Sequence, residues 1–111
     1  MARTTIRGAE SYIARGEEFD AGNLYGGKRP RYFPGIMSDY LSRFYRDDMR
    51  QGLIDYVVYS YMTPIAWRRT DGTWKYPEVS YSPTTARHQH VTRMALRGKE
   101  VTQPGGLKLD R

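Results

Sequence analysis

Ile54-Asp55-Tyr56-Val57-Val58-Tyr59-Ser60-Tyr61 is the densest run of β-branched and aromatic residues in the protein, and its reading decides the fold. Such side chains favour a pleated, half-buried surface. Ile65-Ala66-Trp67-Arg68-Arg69 keeps the extended character, Thr70-Asp71-Gly72-Thr73 supplies turn chemistry, and Trp74-Lys75-Tyr76 resumes it. Extended runs either side of an Asp-Gly pair predict a β-hairpin, with strands over residues 54–69 and 74–81. Pro64 has no N–H for the ladder, so it marks an edge, a bend or a bulge. A two-residue Asp71-Gly72 turn opposes Arg69 to Trp74 and Trp67 to Tyr76. Trp67, Arg69, Trp74 and Tyr76 then share one face, and Arg68 and Lys75 the other. Along the first run, Tyr56, Val58 and Ser60 point one way and Asp55, Val57, Tyr59 and Tyr61 the other. Neither face is cleanly polar, so cover on both is expected, from the helices on one and a partner subunit or groove on the other.

Working outward, the flanks supply helices. Met37, Tyr40, Leu41, Phe44 and Tyr45 recur at helical spacing, and Gly52 is a natural stop, which predicts a helix over residues 36–51. Ser82 is placed to cap a second helix with Pro83 at its first position. That helix is predicted over residues 84–97, with Val91, Met94 and Ala95 on its inner face and Gly98 just beyond. The expected fold is α+β: a small antiparallel sheet centred on the hairpin and packed by two helices. Met37, Leu41, Phe44, Val58, Ile65, Val91 and Ala95 are the expected core. Residues 1–111 form a single domain, ordered over about 11–98 with loose termini. In the tail after Pro104-Gly105-Gly106, Leu107 and Leu109 offer a short edge strand or simply a flexible end.

The composition narrows the function classes. The 111 residues contain no Cys, which excludes disulfides, thiol catalysis and thiolate metal sites. No apolar run approaches the roughly 18 residues of a membrane span, and the first residues lack the apolar core of a signal peptide. Ten Tyr against few aliphatic residues predict an aromatic core whose hydroxyls need partners. The net charge of +6 favours nucleic acid, phosphate or an acidic protein as partner.

The tightest basic cluster is Lys28-Arg29-Pro30-Arg31, beside Tyr32 and Phe33. It reads as a phosphate-contacting patch with adjacent stacking rings, or as a solubilising loop whose rings pack inward. Arg68 and Lys75, if they share a face, form a second phosphate-binding pair, with Trp74 or Tyr76 as a stacking platform. The alternative is plain sheet packing for both rings. Gly22-Asn23-Leu24-Tyr25-Gly26-Gly27 has neither the spacing nor the Lys-Ser or Lys-Thr ending of a phosphate loop. His88 and His90, two apart on a helix, face different ways and make a poor metal pair. Catalysis by either needs an oriented partner and a nucleophile. Ser82, Thr84 and Thr85 lie close in sequence, but helix capping also explains them. No metal, no cofactor and no catalytic residue is expected.

Tyr59-Ser60-Tyr61-Met62-Thr63-Pro64-Ile65-Ala66-Trp67, then Trp74, then Tyr81-Ser82-Pro83-Thr84-Thr85-Ala86-Arg87-His88-Gln89 forms a pattern that resembles small proteins of unassigned function encoded by bacteriophages of actinobacteria. The resemblance covers about residues 54–91, with a looser echo in Phe19-Asp20-Ala21-Gly22-Asn23-Leu24-Tyr25-Gly26. It implies a phage accessory or host-interaction role in the host bacterial cytoplasm, and it transfers no active site.

Three functions compete. The leading expectation is a non-enzymatic, basic nucleic-acid-binding protein for DNA or RNA, using Lys28, Arg29, Arg31, Arg68 and Lys75 for phosphate and Trp74 or Tyr76 for stacking. The alternative is a protein-interaction module that modulates a bacterial host factor. The third is a small hydrolase or nuclease, although Asp47, Asp48, Asp55, Asp71 and Glu78 show no metal-binding spacing. A homodimer is expected, because both faces of the first strand need cover and the protein is short.

Overall fold

The computed structural model describes residues 1–31 and 35–104. Among these a seven-stranded sheet runs in sequence order: β1 (Ala2–Arg3), β2 (Phe19–Asp20), β3 (Leu24–Gly27), β4 (Ile54–Ser60), β5 (Thr63–Arg69), β6 (Trp74–Lys75) and β7 (Val101–Thr102). Three helices accompany it: α1 (Ala9–Arg15), α2 (Asp39–Arg50) and α3 (Pro83–Ala95). The class is α+β as expected, but the sheet is larger than a hairpin-centred one and is mixed. β1 pairs with β2 and β6 with β7 in parallel, and every neighbouring pair between β2 and β6 is antiparallel.

This topology places the helices. The successive reversals from β2 to β6 cancel, so β1, β2, β6 and β7 all point the same way. β1-α1-β2 and β6-α3-β7 are therefore two crossovers stepping in the same direction across the sheet. A right-handed crossover puts both of their helices on the same face. Ala9 and Ile13 of α1 and Ala95 at the end of α3 pack there with Phe19, Leu24, Tyr56, Val58, Ala66, Trp74 and Tyr76. α2 covers the other face: Met37, Leu41 and Tyr45 pack on Ile54, Val57, Tyr59 and Trp67. Both faces of β4 are thus covered from within one molecule, which removes the bare strand face from which a homodimer was expected.

The segment 54–69 is two strands and not one. β4 turns into β5 through Tyr61-Met62, and Ser60 pairs with Thr63. Tyr61 takes φ 57°, a left-handed conformation that an aromatic residue rarely adopts, so no Gly or Asn marks this turn in the sequence. Pro64 sits beside a register shift between Val58 and Tyr59, the bulge its missing N–H calls for.

The Asp71-Gly72 hairpin exists with a different register. Gly72 N–H donates to Arg69 C=O, Arg69 N–H donates to Thr73 C=O, and Gly72 takes φ 90°. The loop therefore has three residues, Thr70 to Gly72. The extra residue pairs Arg68 with Trp74 and Trp67 with Lys75. A shift of one residue exchanges faces, so Arg68 lies with Trp74, and Trp67 turns to the opposite face beneath α2. Regular pairing ends at Lys75, short of the expected residue 81.

α2 begins at Asp39, three residues later than predicted, because Ser38 caps it by accepting the Leu41 N–H. Ile36 is 69% exposed outside the helix. Ser82 caps α3 with Pro83 inside its first turn, as expected. β1 and β7 carry the sheet outward to Ala2 and Thr102, near both ends of the described residues. The segment 11–15, too short to assign from sequence, belongs to α1. Gly16 at φ 65° closes that helix. Leu107 and Leu109, read as a flexible end or a short edge strand, lie outside the described residues.

Candidate functional site

The two crossover helices lie side by side, and their outer surfaces enclose a cavity of about 670 Å³. Its floor is apolar, made by Ile6, Ala86, Val91 and Met94. Arg7, Arg87 and His90 line it with Glu10. Val91, expected to be core, and Met94, expected on the inner face of its helix, are only half-buried because they form this floor.

A smaller cavity of about 250 Å³ adjoins it, lined by Ile6, Ala21, Gly22, Asn23, Thr84, Arg87 and His88. Ile6 and Arg87 belong to both cavities, so the groove continues into the smaller one, where Asn23, Thr84 and His88 add polar groups. His88 is 3% exposed. Its Nδ1 lies 2.7 Å from Ser60 Oγ, which lies 3.0 Å from Thr85 Oγ1. Ser82 Oγ donates to Thr85 Oγ1 at 3.3 Å and itself accepts the Thr85 N–H. Ser82 gives its proton to Thr85, and a chain continued in that direction, Thr85 to Ser60 and Ser60 to His88 Nδ1, leaves the imidazole proton on Nε2. No described residue takes a hydrogen bond from that nitrogen. Burial, and then the charge of Arg87, lowers the His88 pKa, so the ring is neutral. The Tyr61 ring lies 5.9 Å from the His88 ring, and the strained Tyr61 backbone N–H donates to Asn23 C=O at 2.7 Å. The left-handed turn thus brings an aromatic ring against the histidine where a glycine would bring none.

The residues expected to bind nucleic acid do not converge. Lys28, Arg29 and Arg31 are exposed on the loop after β3. The Arg31 backbone is pinned from both sides: its N–H donates to Tyr59 OH at 2.6 Å, and its C=O accepts from Tyr45 OH. Burial raises both tyrosine pKa values, so the phenols keep the protons these bonds use. The Arg31 guanidinium lies 5.0 Å over the Tyr59 ring. Tyr32 and Phe33, the proposed neighbours of this cluster, lie outside the described residues. Arg68 pairs with Asp55 at 2.7 Å and stacks on Tyr56 and Trp74. Lys75 donates to Thr102 Oγ1 at 2.8 Å. Trp74 is 2% and Tyr76 5% exposed, so neither ring offers a stacking face, and Arg68 and Lys75 do not share a face.

The buried stripe of α3 is Thr85, His88, Gln89, Thr92 and Ala95; of the expected Val91, Met94 and Ala95, with His88 or Arg87 at the margins, Ala95 and His88 belong to it. The signal was legible as a polar run at helical spacing, but polar residues are ordinarily assigned to the outside. Ser60, whose hydroxyl meets the imidazole, carried no signal of its own.

The match that identifies the protein's kin spans residues 2–102, from β1 to β7, and so includes both crossovers and the whole groove. The chain belongs to the family of unknown function DUF8033. No curated protein and no solved structure matches it. Membership of DUF8033 assigns no activity, so the chemistry rests on the groove and the smaller cavity beside it. Among the described residues, no group of three or more His, Asp or Glu is placed to hold a metal ion, and no helix is long and apolar enough to cross a membrane.

Proposed function

We propose that this protein is a non-enzymatic binding module whose α1/α3 groove receives a partner protein segment, aliphatic along one side and acidic at its margin. One observation supports the reading above the others: an apolar floor of Ile6, Ala86, Val91 and Met94 lies beside the cations Arg7 and Arg87, with Glu10 as the one carboxylate among the lining residues. An apolar groove between helices suits an amphipathic helix, whose spaced apolar residues fill it. Among the described residues the lining has no Phe, Tyr or Trp, which favours an aliphatic segment over stacked bases. On the resemblance to phage proteins of actinobacteria, the partner is a bacterial host factor met in the host cytoplasm; both belong to the proposal. The test is fluorescence anisotropy with a labelled amphipathic Leu/Glu peptide and its Leu/Lys twin. The Leu/Glu peptide binds, and Arg7→Glu with Arg87→Glu weakens it about tenfold. Equal binding of the twins overturns the reading.

Nucleic-acid binding is the second reading, favoured by the three exposed cations Lys28, Arg29 and Arg31 on a loop clamped by Tyr45 and Tyr59. Without a stacking platform it rests on phosphate contacts alone. Three such contacts give a log–log salt slope of about −2 on single strands. Triple substitution of these residues by Gln abolishes oligonucleotide binding if the reading holds and leaves the Leu/Glu peptide bound. The hydrolase reading loses ground because Ser60, the hydroxyl next to an imidazole, is 1% exposed and closed to a substrate. The acidic residues are also engaged: Asp48 accepts from Trp67, Asp55 from Arg68 and Asp71 from its own turn.

A further inference from the structure

We infer that the pocket into which Asn23, Thr84, Arg87 and His88 bring polar groups is a carboxylate subsite, which seats an acidic group of the segment held in the α1/α3 groove. The inference rests on the groove reading of the function. His88 is 3% exposed, yet its ring lines the pocket, and with Nδ1 engaged by Ser60 only Nε2 is left to face a ligand. With Ser60 donating to Nδ1, the ring proton is on Nε2, and that nitrogen can donate to a ligand oxygen. Nε2 has no hydrogen-bond partner among the described residues, so a ligand oxygen there adds a bond without displacing one.

Arg87 stands at the junction of pocket and groove and adds a guanidinium to the same opening. Guanidinium and imidazole N–H together fit an oxyanion, and the charge-assisted bond prefers a carboxylate over a neutral amide. Asn23 and Thr84 carry further donors at the wall, and they come from distant parts of the sequence, one before β3 and one in the first turn of α3. The groove that leads into the pocket is apolar, so the ligand presents aliphatic side chains next to its carboxylate. That carboxylate comes either from a Glu or Asp side chain or from the terminal carboxylate of the bound polypeptide.

The experiment has two arms on the full-length protein. In the first, sodium acetate is titrated while the imidazole nitrogens are followed by NMR. A saturable shift at His88 Nε2, with the exposed His90 unmoved, is the expected result, and Arg87→Gln weakens it several-fold. In the second, anisotropy compares a Leu/Glu peptide with a free C-terminus, its C-terminal amide, and a twin with Gln for Glu. Loss of about tenfold affinity on amidation names the C-terminus as source, and the same loss on Glu→Gln names the side chain. Arg87 is exposed, so Arg87→Gln leaves the fold intact, confirmed by an unchanged thermal transition. If acetate moves His88 but no peptide binds, the subsite stands and the groove reading fails. If the peptides bind regardless of carboxylates and His88 is silent to acetate, the groove reading stands and the subsite is overturned.

Discussion

Arg68→Ala separates a structural from a ligand-binding arginine. The side chain makes an ion pair with Asp55 at 2.7 Å, with side-chain exposures of 27% and 41%. Solvent screening reduces such a pair to about 0.5–1 kcal/mol. The guanidinium also lies 5.6 Å over Tyr56 and 6.0 Å over Trp74, contacts worth about 0.5–1 kcal/mol each. Allowing for the buried stem, the substitution costs about 2–3 kcal/mol. That is about 8–12 °C in the melting temperature for a domain of this size. The guanidinium packs so closely on Gly16 that an added Cβ there would sit 2.9 Å from Arg68 Cζ, and Gly16 also has φ 65°. Gly16→Ala alone therefore displaces Arg68 and strains the backbone. In the Arg68→Ala background only the strain, about 1 kcal/mol, remains. The double variant must be less destabilised than the sum of the singles. Urea unfolding followed by circular dichroism measures all three, and anisotropy with an oligonucleotide measures ligand binding. If Arg68→Ala costs less than about 0.5 kcal/mol and instead lowers oligonucleotide affinity, the structural assignment is wrong.

A Cβ at Gly26 would collide with Tyr56 OH and sit 2.7 Å from Phe19 Cδ1, while one at Gly27 meets nothing within 4 Å. Gly26→Ala costs about 2–4 kcal/mol, from overpacking and the broken Tyr56–Glu17 bond, whereas Gly27→Ala is neutral or stabilising by about 0.5 kcal/mol. Urea midpoints of the two variants check this. Tyr59→Phe orphans the Arg31 N–H, costs about 1–2 kcal/mol, and speeds amide exchange at Arg31 in hydrogen-exchange mass spectrometry. The folded pKa of His88 lies below its unfolded value, so its contribution to stability is complete above about pH 6.5. It is lost as pH falls, because the unfolded state takes the proton first. His88→Gln, whose amide replaces the ring without titrating, flattens the stability–pH curve below that point. An unchanged curve refutes the assignment.

Much of the secondary structure was legible because it is local. The β-branched and aromatic run of β4, the helical spacing of Leu41 and Tyr45, the Ser82-Pro83 start of α3 and the irregularity at Pro64 each depend on neighbours a few residues away. The hairpin at Asp71-Gly72 was legible too, but its register was not. Two-residue and three-residue loops share the same Asp-Gly signal, and only the fit of Arg68 between Tyr56, Trp74 and Asp55 selects the longer one. β1 and β7 have two residues each and exist only because β2 and β6 offer them edges across long stretches of sequence. The turn at Tyr61 is held by Asn23 and by pairing on both sides, against its own backbone preference. The site belongs wholly to this second class. Ser60 meets His88 because a strand of one hairpin lies beneath the helix of a crossover. The groove exists because two crossovers, at opposite edges of the sheet, step the same way and bring their helices to one face.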